Sequence, residues 1–157
     1  FDLCEYGKKQ NYRRIRSNSA AETKRFGSGL KALNSKFEEE FLETISHLFT
    51  IHREFTIKEK ISLKSVFDLD KVHEPELLDF MFKGEFDFVV YDSRTKQPLM
   101  AIELDGAEHR SDEEVRKRDR KKEDICCKHG FKLKRIPNDY ARRYQSIRET
   151  IIKMLKA

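Results

Sequence analysis

The sequence predicts a single α/β domain built in the order helix, strand, hairpin, helix, strand, helix. Three observations carry this. Short alternating apolar runs of strand length recur at 55–63, 86–105 and 131–136. Between and around them lie amphipathic stretches of helical period. Third, the chain has 157 residues and twelve Phe, enough for one real core. Charged residues make up 39% of the chain against 38% hydrophobic, a polar balance that the Phe content keeps out of the disordered class.

Residues 1–30 read as a basic linker or arm, with a short helical piece at Ala20–Phe26, and the globular domain as 31–157. Residues 1–36 hold nine Lys/Arg against three Asp/Glu, while 37–157 hold 24 against 25. The excess positive charge therefore belongs to the N-terminal segment, which suits either a nucleic-acid phosphate backbone or a solvated connection to an upstream domain. The first residue is Phe, which points to a chain cut from something longer.

Ser35 and Glu38 form a capping box that opens the first helix. Phe37, Phe41, Ile45, Leu48 and Phe49 share one face of it, to about Thr50. The alternation from Phe55 to Leu63 gives a strand. A turn at Asp68–Pro75 and a short helix at Pro75–Phe82 follow. The hairpin spans 85–105. If it is symmetric about Thr95, Tyr91 faces Leu99, Val89 faces Ala101 and Asp87 faces Glu103. Ser111–His129 is a long charged helix, with Gly130 as its left-handed C-cap. Phe131–Ile136 forms the next strand, ended by Pro137 and Asn138. Tyr140–Leu155 closes the chain with Tyr144, Ile147, Ile151 and Leu155 facing inward.

The hairpin carries the chemistry. Apolar strands exclude carboxylates, because an unpaired buried charge costs several kcal/mol. Yet Asp87, Glu103 and Asp105 stand at the ends of two such strands, and Glu103 and Asp105 share a face. Opposed residues place their Cβ atoms about 4.5–5.5 Å apart, so two acids there repel unless a cation lies between them, they point into water from an edge strand, or an Arg pairs with them. On the next helix, Val115, Asp119, Lys122 and Cys126 form the inward stripe, flanked by Ile125 and His129, which aims an acid and a lysine at the same region. An Asp119–Lys122 ion pair is the plainer reading of that spacing. His109, on the loop between, stands four residues past Asp105, where it suits a general base or phosphate contact.

Cys4, Cys126 and Cys127 are odd in number, and the adjacent pair cannot easily bridge. This predicts a reducing, cytoplasmic compartment. Cys126, Cys127 and His129 lack the second ligand pair that zinc requires. No apolar run approaches the roughly 20 residues of a membrane span.

Taken in order, Phe86-Asp87-Phe88, Ala101-Ile-Glu103-Leu-Asp105-Gly106, His109, Asp119-x-x-Lys122, Gly130 and Leu133-x-Arg135-Ile136 resemble the PD-(D/E)XK nuclease superfamily. The nearest branch is a small bacterial one of unknown-function domains beside the very short patch repair endonucleases. The resemblance covers roughly residues 35–155. It implies a restriction-endonuclease-like core, a mixed β-sheet flanked by helices whose hairpin carries the metal ligands. It implies Mg²⁺ (or Mn²⁺) on Asp87, Glu103, the Leu104 carbonyl and Asp105, with Glu38 and Asp119 behind them. It also implies a metal-dependent endonuclease cutting DNA phosphodiester bonds, within a longer DNA-processing or defence protein. The family's usual Lys two residues after the Glu is Asp105 here, so Lys122 or His109 takes that role. If neither does, the domain is a catalytically inactive nucleic-acid-binding module. Lys60, Lys64, Arg110, Arg116 and Arg120 are the expected phosphate contacts, with DNA as partner, RNA as the alternative, and a homodimer left open.

Overall fold

The computed structural model describes residues 34–106 and 112–157. The first helix, α1 (Lys36–Ile51), opens on the capping box: Ser35 Oγ accepts from the Glu38 N–H at 3.2 Å, and Glu38 Oε1 accepts from the Ser35 N–H at 3.0 Å. Its apolar face buries Phe41, Ile45 and Leu48 completely. Strand β1 (Phe55–Ser62) follows, then two 3₁₀ turns and helix α2 (Pro75–Lys83). Pro in the first turn of α2 wastes no hydrogen bond, because that N–H has no partner within the helix.

The hairpin comprises β2 (Glu85–Asp92) and β3 (Pro98–Asp105). Val89 faces Ala101 as expected, but the register shifts between Val90 and Tyr91, so Tyr91 faces Pro98 and not Leu99. The loop is asymmetric. It closes through Asp92 N–H to the Gln97 carbonyl and is pinned by Asp92 Oδ1, which accepts from the N–H groups of Arg94 and Thr95.

Helix α3 (Glu113–Lys128) starts where Asp112 Oδ1 accepts from the Glu114 and Val115 N–H groups. It ends in a Schellman motif. Gly130, at φ +63°, donates to the Cys127 carbonyl, and Phe131 donates to Cys126 at 2.8 Å. Strand β4 (Lys132–Pro137) leads to helix α4 (Tyr144–Leu155). This helix begins at Tyr144 and not at Tyr140. Residues 138–143 instead turn through i→i+3 bonds from Ala141 to Asn138 and from Arg143 to Tyr140.

The four strands form one mixed sheet in the order β1-β2-β3-β4, antiparallel except for the parallel β3–β4 pair. Helices α1 and α4 cover one face, where Phe41, Ile45, Phe88, Val90, Ile102, Leu104, Ile147 and Ile151 pack. Helices α2 and α3 cover the other, over Met81, Phe86, Val89, Ala101, Ile125 and Cys126. No helix among the described residues is long and apolar enough to cross a membrane.

The strands do not keep one phase. Residues two or four apart in a strand share a face. Yet Phe88 packs with α1 while Phe86 packs on the opposite side, against Phe67 and Phe131. In β1, Ile57 packs on the α1 side and Ile61 on the other. Both strands therefore exchange faces at the same level, the one occupied by Lys60 and Asp87. The ladder has matching pairs on either side (Glu59 with Phe88, Ile61 with Phe86) and no residue is inserted. At that level the backbone of Lys60 turns to φ +55°. For a non-glycine residue that conformation costs on the order of 1–2 kcal/mol.

Candidate active site

Strand β3 keeps its phase where β2 loses it, so the two separate. Their paired ladder ends at Phe88–Ile102. Beyond it, side chains take over the backbone's hydrogen bonds. Asp87 N–H donates to Glu103 Oε2 at 2.7 Å, and Leu104 N–H donates to Asp87 Oδ2 at 2.9 Å. The two acids thus stand together because each fills a gap left in the sheet.

Glu103 is 2% exposed. Lys122 reaches it from α3, its ammonium donating to Glu103 Oε1. The inward stripe of α3 therefore delivers its lysine to the hairpin acids, while Ile125 and Cys126 anchor the same stripe in the core. Burial and then the nearby Glu103 charge push the Cys126 thiol up to about 12, so it is an inert packing group. Burial, followed by the repulsion of Glu103, pushes the Asp87 carboxyl up to about 7. The Leu104 N–H and Lys122 oppose that shift, and the Glu38 charge adds to it.

Glu38 approaches from the first turn of α1. One oxygen completes the capping box, and the other accepts from the Lys60 ammonium. Burial works against the Lys60 charge, but the Glu38 hydrogen bond and the charges of Glu38, Asp87 and Glu85 outweigh it and hold the ammonium above its ordinary range. Asp87 therefore lies in the joint field of Glu38, Glu103 and Lys122.

Asp105 and Asp119 are organised by a residue to which the sequence reading gave no role. Arg135 Nη1 stands 3.3 Å from Asp105 Oδ1 and 3.3 Å from Asp119 Oδ1. Its Nε donates to Glu123 at 2.8 Å, and its Nη2 to the Asp119 carbonyl at 3.0 Å. The Asp119–Lys122 pairing that helix spacing suggests gives way to Arg135–Asp119 and Lys122–Glu103. The available signal was an arginine in strand β4, which pairs in register with Glu103 across the parallel β3–β4 ladder.

Among the other sequence candidates, Lys64 is exposed and lies 5.5 Å from the Phe82 ring. Arg120 is exposed on α3 and Arg116 half-buried. His109, Arg110, Cys4 and the 1–30 arm lie outside the described residues. An open groove of about 620 Å³ runs between α2 and α3 and reaches the site at Glu85, Asp119 and Lys122, with Phe80 and Arg118 on its walls.

Among the described residues, no three His, Cys, Asp or Glu side chains already stand as a metal-binding group. The donor chemistry nevertheless fits a hard divalent cation. Asp87, Glu103 and Glu38 offer only oxygen, and Asp87 carries negative charge there only against the pull of burial and repulsion.

The fold and site define an α/β domain with a half-buried carboxylate–lysine cluster where two strands of a mixed sheet part. The chain belongs to the DUF2726 family, described as a protein of unknown function, whose match covers residues 30–155. No curated protein and no solved structure matches the chain.

Proposed function

We propose that this domain is a metal-dependent nuclease with a restriction-endonuclease-like core of the PD-(D/E)XK kind, hydrolysing DNA phosphodiester bonds. The observation that carries this reading is the juxtaposition of Asp87 and Glu103 at the strand divergence, with the Lys122 ammonium on Glu103.

Asp87 and Glu103 would hold Mg²⁺ or Mn²⁺, with the Leu104 carbonyl beside them. An ion held there would polarise a phosphate and lower the pKa of a water, the chemistry that phosphodiester hydrolysis needs. Lys122 has two tasks. It fixes the rotamer of Glu103, and it places positive charge where the phosphate gains negative charge. Burial and the Glu103 charge push the Asp87 carboxyl up to about 7 without a cation, and a bound divalent ion would displace its proton. The groove between α2 and α3 would give substrate a path to these groups, with Lys83, Arg118 and Lys121 on its walls to meet phosphates. Asp105, paired with Arg135, supports the site from behind.

A second reading is a nucleic-acid-binding module without activity. It is favoured by one observation: each of Asp87, Glu103 and Asp105 already has a protein partner. Incubating the chain with plasmid and single-stranded DNA in Mg²⁺, Mn²⁺ or EDTA separates the two. Metal-dependent cleavage by the parent, lost in Asp87→Asn and Glu103→Gln, supports the nuclease. DNA binding without cleavage in any metal supports the module.

A further inference from the structure

Lys60 is the one residue of β1 whose backbone departs from the strand. Positive φ in a non-glycine residue ordinarily serves a turn, and Lys96 in the hairpin loop is such a case. Lys60 serves none. The ladder resumes with the same register on both sides, so no insertion needs to be absorbed. The effect of its conformation is to re-aim side chains. The Lys60 ammonium reaches Glu38 and enters the field of Asp87, on the β1 side of the acids, whereas Lys122 comes from α3.

The two lysines are committed to different degrees. Lys122 neutralises an acid whose side chain is 3% exposed and is itself 15% exposed. Lys60 is 26% exposed, and its partner Glu38 is also held by the Ser35 N–H. An ammonium has three donors, so Lys60 can keep Glu38 and still offer a proton to an anionic oxygen beside Asp87.

We propose that Lys60 is a second catalytic cation, which contacts a non-bridging oxygen of the scissile phosphate from the β1 side of the site while Glu38 steers it. This rests on the nuclease reading above and assigns a residue that the reading does not need. The register sets Lys60 at the level of Asp87, between the Glu59–Phe88 and Ile61–Phe86 pairs, so ammonium and acid lie at one height of the sheet.

The test is Mg²⁺-dependent plasmid nicking by the whole chain, measured as kcat and KM for Lys60→Met, Lys60→Arg, Lys60→Ala and Lys60→Gly, beside Glu103→Gln. Lys60→Met is expected to lose roughly 100-fold in kcat with KM within about threefold of the parent. Lys60→Arg recovers part of the loss. Lys60→Gly, relieved of the φ penalty, melts about 2–4 °C above Lys60→Ala yet cuts no faster, which separates loss of the ammonium from loss of the fold. If Lys60→Met cuts at the parental rate, or changes KM alone, while Glu103→Gln is inactive, the role of Lys60 is overturned and the nuclease stands. If the parent cuts nothing in Mg²⁺ or Mn²⁺, both fall together.

Discussion

Asp87 and Glu103 are joined through backbone and side chain, not acid to acid: the Asp87 N–H donates to Glu103 Oε2 at 2.7 Å. The bond holds the two carboxylates close although their charges repel, and Asp87 absorbs the conflict by keeping its proton up to about pH 7.

That proton sets a pH dependence. The unfolded Asp87 ionises near 3.8. Between about pH 4 and 7 the native state binds a proton that the unfolded state lacks, so this group's contribution to stability falls as pH rises, and it is flat outside that window. Asp87→Asn keeps an acceptor for the Leu104 N–H and removes the charge. It should match the parent near pH 4 and exceed it at pH 8 by on the order of 1–3 kcal/mol. Thermal melts of both proteins from pH 4 to 8 check this. A difference independent of pH would contradict it. Mg²⁺ should raise the melting temperature of the parent at pH 8 but not that of the variant.

Lys122 and Glu103 should be strongly coupled. Removing the ammonium leaves a nearly buried carboxylate unpaired, so Lys122→Met should cost about 3 kcal/mol or more. The double variant Lys122→Met with Glu103→Gln removes both charges and should recover at least about 1 kcal/mol of that loss. Urea denaturation of the four proteins in the cycle measures the coupling energy. A value near zero would show that water, not Lys122, compensates Glu103.

Arg135 should not tolerate lysine. Its guanidinium spans Asp105, Asp119, Glu123 and a main-chain carbonyl, a fork that one ammonium cannot reproduce. Arg135→Lys should lower stability by about 2 kcal/mol and, by loosening α3 against β3, reduce any metal-dependent cleavage. Chemical denaturation and nicking assays on the same preparations check both. Parental stability would mean that the three acids are satisfied by solvent.

The elements were legible because their signals are local. Ser35 with Glu38, Gly130 after a charged helix, and the alternation through Phe86–Asp105 each depend on neighbours within a few residues. The meeting of Asp87 with Glu103 followed from hairpin symmetry, since the loop's asymmetry falls at its Tyr91 end and leaves the Val89–Ala101 pairing intact. The inward aim of Asp119 and Lys122 followed from helical period, but their partners did not. Arg135 reaches Asp119, and Glu103 meets Lys122, through a parallel β3–β4 pairing across a helix-length crossover, which no local pattern encodes. Lys60 was least legible. A lysine in an alternating strand carries no left-handed preference, so nothing local signals its φ of +55°.

That exchange of faces links parts of the domain that the sheet would otherwise insulate. Phe86 and Phe88 are two residues apart, yet one belongs to the core beneath α3 and the other to the core beneath α1. A change in the shape of Phe88 would be felt first at the capping-box helix, and one in Phe86 at the helix that carries Lys122. The carboxylates sit on the pivot between them. Whatever binds there presses on both hydrophobic layers at once, so ligand occupancy should tighten hydrogen exchange in α1 and α3 together, as a single mechanical unit.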